Sequence, residues 1–202
     1  MAAPVAPRRG VGRRRGAPDT RGEIVAAARR EFAAKGFDNT SLRGVARTAG
    51  VDPALVHHYF SDKQDLFLAA MNLPFDPRTV LPPALQGPVD GVGERLVGAV
   101  LQIWDDPALR PALLSVVRSA LGNEGTAHLL RDGFLRLVIE QIAALPGISD
   151  PQRRGSLAGS QIIGLIVARY VVGLEPIASM PAVRLAALVG PTIERYLFDD
   201  LG

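Results

Sequence analysis

Residues 40–60 carry two short helical patterns separated by a tight turn, and this spacing constrains the fold more than any other feature of the chain. The first pattern, LRGVARTA, stops at Gly50. The second begins after Asp52, where Pro53 occupies the first helical position, at which a missing N–H has no consequence. Two helices punctuated so closely have the length and the turn of a helix-turn-helix.

Helical patterns also flank this motif. Apolar residues recur at helical spacing over 20–35, which predicts a long first helix. Thr40 and Ser41 are both candidate N-caps for the next helix. After the third helix, either Ser61 or Asp62 caps a fourth, KQDLFLAAM. We therefore expect four helices over the first third of the chain.

Beyond this region the sequence shows only helical periodicity. Five prolines between residues 72 and 93 predict a hinge or loop. Further helices are expected at about 94–104, 108–121, 124–144, 152–173 and 181–198. The predicted fold is all-α with about nine helices: a disordered basic arm (1–18), a helix-turn-helix domain (19–71), a linker loop (72–93) and a larger helical domain (94–202).

Positive charge is concentrated at the N-terminal end. Residues 1–66 hold 12 Lys and Arg against 7 Asp and Glu, whereas residues 67–202 hold 11 against 13. Six arginines fall within the first 21 residues, among Gly, Pro and Ala that cannot form a core. A basic end of this kind indicates a polyanionic partner, either nucleic acid or an anionic membrane.

The adjacent pair His57 and His58 does not have the spacing of a metal site. Neighbouring side chains on a helix point about 100° apart, whereas chelating histidines recur at i, i+4. No G-x-S-x-G, P-loop or G-x-G-x-x-G motif occurs, and the chain has no cysteine. We therefore expect no metal, no cofactor and no enzymatic activity.

In a helix-turn-helix, the second helix presents its outer face to the DNA major groove. Val56 and Phe60 then point inward, and His57, His58 and Tyr59 point outward as donors to phosphate oxygens or base edges. The ammonium of Lys63 follows just beyond the helix.

Residues 20–67, TRGEIVAAARREFAAKGFDNTSLRGVARTAGVDPALVHHYFSDKQDLF, resemble the N-terminal DNA-binding domain of the tetracycline-repressor-like (TetR) family of bacterial transcription regulators. The resemblance rests on KGF at the end of helix one, then T-S-L-R-x-V-A-x-x-A-G-V, then Y-F-x-x-K-x-x-L-F. It implies a cytoplasmic homodimer that binds a palindromic operator as a repressor and releases it when a small-molecule effector binds the larger domain.

The resemblance also implies roles for individual residues. Thr40 and Arg43 match phosphate-contacting positions, and Pro53, Ala54 and Leu55 match the base-reading start of the third helix. His57, Tyr59 and Lys63 match its usual backbone contacts. His57 stands where tyrosine is common in the family. Leu55 stands where a small hydroxyl residue is common, and favours apolar contact with a thymine methyl group.

Two sets of residues are predicted for the larger domain. Apolar and aromatic side chains predict a ligand pocket lined by Leu101, Trp104, Leu113, Val117, Phe134, Val138 and Tyr170. Small residues and apolar rows on the last two helices predict a four-helix dimer interface that includes Ile162, Leu165, Ile166, Arg169, Leu188, Ile193 and Leu197. For both sets the alternative is an ordinary intramolecular core.

A competing function is a peripheral membrane or lipid-binding helical protein that uses the arginine arm on anionic lipid. It accounts for the arm but leaves the two short helices unexplained. The apolar stretch 157–174 is interrupted by Gln161 and Arg169, so we expect a buried core helix there and not a membrane span.

Overall fold

The computed structural model describes residues 19–201, and every regular element in that range is helical. The first four helices are α1 (Thr20–Lys35), α2 (Leu42–Ala49), α3 (Pro53–Tyr59) and α4 (Lys63–Met71). These bounds confirm the four helices predicted from the sequence. The predicted basic arm, residues 1–18, lies outside the described residues.

Each of these four helices begins at a side-chain cap. The capping oxygens accept hydrogen bonds from backbone N–H groups two or three residues further on, and belong to Asp19, Ser41, Asp52 and Asp62. Ser41, not Thr40, therefore caps α2, and Asp62, not Ser61, caps α4. A cap contributes about 1 kcal/mol. This matters most for α3, whose seven residues are too few to form a stable helix alone in water.

The proline-rich stretch 72–93, predicted as a loop, is helical in its middle, so the prediction is wrong there. Helix α5 (Pro77–Leu85) follows Asp76, whose carboxylate accepts a hydrogen bond from the N–H of Arg78, the second residue of the helix. Pro82 and Pro83 lie late in this helix, where their missing N–H groups leave only two early carbonyls without a helical donor. Four of the nine residues are buried. Burial of this face outweighs the loss of two hydrogen bonds.

The remaining helices confirm the five predicted helical regions. They are α6 (Val92–Asp105), α7 (Arg110–Gly122), α8 (Glu124–Leu129), α9 (Leu135–Ala143), α10 (Pro151–Ile166) and α11 (Ala182–Phe198). A π-helical turn, Leu130–Phe134, joins α8 to α9, and a second, Val167–Val172, extends α10. We call the continuous segment 124–143 the α8–α9 rod.

The first hydrophobic core joins α1 to α4 but is completed by the α8–α9 rod. Its centre is formed by Phe32, Phe37 and Phe67, with T-shaped contacts from Phe67 to the other two rings at centroid distances of 5.1 and 5.2 Å. Leu129 and Leu137 of the rod are buried in the same core. The N-terminal helices therefore do not form a self-contained unit.

The second core is built around the crossing of α6 and α11. Gly93 and Gly190 face each other there, and a Cβ atom on Gly190 would lie only 2.6 Å from the backbone nitrogen of Glu94. The Glu194 carboxylate accepts a hydrogen bond from the Gly91 N–H at 2.8 Å. Two glycines thus allow the backbones of α6 and α11 to approach closely.

Stretch 157–174, predicted to be a buried core helix, lies mostly at the surface. In α10 only Gly155, Ala158 and Leu165 are buried, and no residue of the following π turn is buried. The combined helix, Pro151–Val172, is long and apolar enough to cross a membrane by length and composition. An exposed apolar helix of this kind is equally typical of a helix that a partner covers.

We expect Gly93→Ala to destabilise the fold, because the added methyl group overlaps backbone atoms of Gly190 and Glu194. Overpacking of this kind costs about 1–3 kcal/mol, measurable by urea unfolding. Gly98→Ala, also on α6, is the matched control, since its methyl group meets only the Cβ atom of Ala186 at 4.0 Å. Equal unfolding midpoints for the two variants would contradict the close crossing.

Candidate nucleic-acid interface

The turn between α2 and α3 is tight and internally bonded. Gly50 adopts the left-handed conformation with φ of 69°, which glycine reaches without strain. The Val51 N–H donates to the Ala46 carbonyl at 3.0 Å, closing the end of α2. Asp52 then caps α3 through the Ala54 N–H at 2.8 Å. These bonds fix the direction in which α3 leaves the turn.

Two side chains hold α3 against the first core. Val56 is fully buried, and Phe60 at its C-terminal end is 2% exposed. Val45 and Ala46 of α2 are also fully buried in this core. The inward orientation predicted for Val56 and Phe60 is observed, and α3 cannot rotate without exposing these two side chains.

The opposite face of α3 is exposed. Its exposed residues are Pro53, Ala54, Leu55, His57, His58 and Tyr59, which are six of the seven residues in the helix. Leu55 is 40% exposed and Tyr59 39%, so the helix presents apolar and aromatic surface to solvent. The rings of His58 and Tyr59 lie 5.0 Å apart in a T-shaped contact. We call these six residues the α3 face.

Two arginines of α2 are exposed beside this motif. The guanidinium of Arg43 forms no hydrogen bond or ion pair with any residue in the described part of the chain. Arg47 follows one helical turn later, on the same side of α2 by its i, i+4 spacing. Sequence reasoning selected Arg43 and missed Arg47, although the spacing alone indicates it.

Thr40 and Lys63, both predicted to contact DNA phosphates, are engaged within the chain. Thr40 is 3% exposed, and its hydroxyl donates to the Gly36 carbonyl at 2.8 Å. The Lys63 ammonium donates to the Phe37 carbonyl at 2.9 Å and lies 4.5 Å from the centroid of the Phe37 ring. Both side chains stabilise the loop between α1 and α2. Because Thr40 is buried, we correct its assignment, whereas the phosphate contact of the partly exposed Lys63 stays a prediction.

The N-terminus of α1 lies next to the end of α3. The Arg21 guanidinium is 5.2 Å from the centroid of the Phe60 ring. The first turn of α1 thus lies beside the C-terminal end of α3.

The seven residues predicted to line a ligand pocket are mostly buried or partly buried. Leu101, Trp104 and Leu113 are buried, and Val117, Phe134 and Val138 are partly buried. Two cavities in the part of the chain that the structure describes lie elsewhere, and none of the seven predicted residues lines either one. Leu101, Val138 and Phe134 pack in or against the two hydrophobic cores of the chain, and their role in ligand binding stays a prediction.

Tyr170, the last of the predicted pocket residues, belongs to a network that joins α6 to the end of α10. Its ring stacks on Trp104 with centroids 5.2 Å apart, and its hydroxyl donates to Asp105 at 3.0 Å. Arg169 lies 3.6 Å from the same carboxylate and donates to the Ile177 and Met180 carbonyls. Burial, together with the hydrogen bond to Asp105, raises the pKa of Tyr170 to about 12.

The residues predicted for the dimer interface fall into two groups. Ile193 and Leu197 are fully buried, Leu165 is 8% exposed, and the Arg169 side chain is 9% exposed, so these four belong to the chain's own interior and the prediction is wrong for them. Ile162 and Ile166 are partly buried, and Leu188 is 60% exposed. The sequence predicts which residues share a helical face. It does not predict which of those faces is buried inside the chain.

When the chain is compared with known proteins, two parts of it match models of protein domain families. Residues 24–70 match the model described as "Bacterial regulatory proteins, tetR family". Residues 90–197, more than half of the chain, match "Tetracyclin repressor-like, C-terminal domain".

Individual relatives agree with these models. The HTH-type transcriptional regulator BetI of Brucella anthropi is 28% identical over 175 residues, which is 83% of this chain and 90% of BetI. BetI of Rhizobium meliloti is 43% identical over 54 residues, 27% of each chain. A solved TetR-family regulator from Streptomyces coelicolor is 38% identical, covering 92% of this chain and 98% of that one, with a TM-score of 0.47.

The network around Tyr170 predicts a pH dependence of stability. Because the folded-state pKa of about 12 exceeds the ordinary value of 10.0, the contribution is fully present below pH 10 and is lost as the pH rises through 12. In an absorbance titration, Tyr170→Phe should remove a step of tyrosinate formation near pH 12. Tyr196→Phe is the matched substitution, because it leaves Tyr170 and its partners intact. An identical alkaline titration in Tyr170→Phe would contradict the assignment.

Proposed function

The chain belongs to the TetR family of bacterial regulatory proteins and is a DNA-binding transcriptional regulator; from this we propose that it is a repressor that binds a palindromic operator as a homodimer. The observation that carries the proposal is the α3 face, six exposed residues on a helix anchored by Val56 and Phe60. A helix held from behind and exposed in front has the geometry of a recognition helix.

We propose that Pro53, Ala54 and Leu55 meet base edges and that His57, His58 and Tyr59 donate to phosphate oxygens. The N-terminal residues of a recognition helix lie deepest in the major groove, which favours these roles. The exposed Leu55 side chain suits contact with a thymine methyl group. Arg43 and Arg47 supply positive charge along α2, which crosses the DNA backbone in this arrangement.

We propose that α10 and α11 form the dimer interface. Its residues differ from most of those predicted from the sequence. Ile163, Val183 and Leu188 are 58%, 77% and 60% exposed. A Cβ atom on Gly164 would meet no other atom within 4 Å, so this glycine faces outward and gives a partner helix room to approach. Gly155, by contrast, packs against Ile139 within the chain. The outward face thus combines large apolar side chains with small residues, as dimer interfaces between helices do.

We propose that an effector acts through the α8–α9 rod. The rod contributes Leu129 and Leu137 to the core that supports α3, and Arg136 pairs with Asp38 of the α1–α2 loop. Glu140 accepts a hydrogen bond from Gln64 of α4 at 3.0 Å. A ligand that displaces the rod therefore reorients the N-terminal helices. Two recognition helices read successive major grooves only at a spacing of about 34–36 Å, so reorientation weakens operator binding.

The competing lipid-binding function does not require the capped turn between α2 and α3, and family membership does not favour it. We propose that the protein works in the cytoplasm, where its DNA target lies, and that it acts by binding and not by catalysis.

Arg43→Ala should weaken binding to DNA upstream of the protein's own gene, because one phosphate contact is lost. We expect the slope of log affinity against log salt to fall by about 0.9 for each recognition helix. The measurement is a salt series of gel shifts. Arg118→Ala, an exposed arginine on α7, is the matched control. A salt slope that is the same in both variants and in the unaltered protein would remove Arg43 from the interface.

Leu188→Glu should shift the protein toward monomer, because a carboxylate is placed in an apolar contact. Sedimentation equilibrium measures the change, and DNA affinity should fall with it. Leu121→Glu is the control, since Leu121 is also highly exposed, at 73%, but lies at the end of α7. Dimerisation that is unaffected in Leu188→Glu would exclude this face of α11.

A further inference from the structure

A cleft lies where the N-terminal helices meet α7 and α8. One wall carries Arg29 of α1 with Ala70 and Met71 of α4 and the following Asn72. The other carries residues of α7 and α8, namely Ala112, Ser115, Val116, Ser119, Thr126 and Leu129. The cleft has a volume of about 290 Å³, near the lower end of the roughly 300–1,000 Å³ typical of small-molecule sites.

Arg29 is the only ionisable side chain in this lining. Its Nε–H donates to the Ala70 carbonyl at 2.9 Å, which fixes the guanidinium between α1 and the last turn of α4. Its terminal nitrogens form no hydrogen bond or ion pair with any of residues 19–201. The Arg29 side chain is exposed, so the cleft carries one oriented positive charge at its solvent-facing edge. Terminal guanidinium N–H groups in this state match the two oxygens of a carboxylate.

The opposite wall supplies hydroxyl groups and apolar surface. Ser115 and Ser119 lie one helical turn apart on α7, and the Ser119 and Thr126 hydroxyls are 3.2 Å from each other. Met71, Val116 and Leu129 provide apolar contact in the same cleft. A single cation, several hydroxyls and an apolar lining suit an amphiphilic ligand that carries one negative charge. Ligands with several charges lack partners here.

We propose that this cleft is a binding site for a small amphiphilic monocarboxylate, with Arg29 as the anchoring residue. The site differs from the apolar pocket predicted from the sequence, and its walls belong to different parts of the molecule. Because a ligand contacts both walls, it fixes the distance between α1 and α7. The claim that the cleft is an effector site rests on the proposed function. The claim that it binds a carboxylate rests only on the residues that line it.

The test is isothermal titration of the full chain with hexanoate and phenylacetate, using hexanamide as the neutral probe. We expect both carboxylates to bind and hexanamide to bind at least tenfold more weakly. Arg29→Gln should lower carboxylate affinity by about tenfold to a hundredfold, because it removes a charge-assisted hydrogen bond. Arg29→Lys, which keeps the charge, should retain more of the affinity than Arg29→Gln does.

Two further variants separate binding from folding. Arg30→Gln alters the neighbouring arginine of α1, which is exposed like Arg29 but does not line the cleft, and should bind hexanoate normally. Ser115→Phe fills the cleft from α7 without altering Arg29, and should abolish binding while the unfolding midpoint is unchanged. The proposal is overturned if neither carboxylate binds the unaltered chain, or if Arg29→Gln and Ser115→Phe bind as tightly as the unaltered chain.

A gel shift without any carboxylate tests the proposed function separately. Sequence-selective DNA binding without carboxylate binding contradicts this site and leaves the regulator assignment standing. If carboxylate binding depends on Arg29 but the chain does not select DNA sequence, the carboxylate site is supported and the proposed function is contradicted. Carboxylate binding that lowers DNA affinity in the unaltered chain, but not in Arg29→Gln, supports both.

Discussion

Burial of Val56 and Phe60 is the interaction on which the functional face of this molecule depends. A seven-residue helix is not stable on its own in water, since too few hydrogen bonds offset the cost of starting it. The Asp52 cap and the two buried side chains supply the missing free energy from one side only. The six residues of the α3 face are exposed, so their side chains are available for the DNA contacts that we propose.

The core that holds α3 is shared between the two parts of the chain. Gly133 of the α8–α9 rod packs so closely on Phe67 that no larger residue fits without displacing the ring. Arg136 adds an ion pair to Asp38 and lies 5.6 Å from the centroid of the Phe37 ring. Tightly packed interiors transmit displacement and do not absorb it. A change of the rod's position is therefore a change in the support of α3, and this is the route by which we propose that an effector acts.

Much of the fold follows from local sequence signals, because caps, glycine stops and helical periodicity are local properties. These signals predict α1 to α4 and the exposed orientation of His57 and Tyr59. They fail where tertiary contacts decide. The proline-rich stretch forms helix α5 because one of its faces is buried. The close packing of α11 on α6 depends on two glycines, which hydrophobic periodicity does not predict. The Arg29 cleft was missed for the same reason, since its walls come from helices far apart in the sequence.

The central claim is that the α3 face reads DNA sequence, and selection of duplexes from a random pool tests it most directly. A dimer with two such helices should enrich an inverted repeat whose half-site centres lie about 10–10.5 base pairs apart, or a multiple of that distance. Substituting Leu55 by alanine should alter the preference at one position of each half-site and leave the spacing unchanged. Recovery of duplexes with no common sequence would contradict the claim.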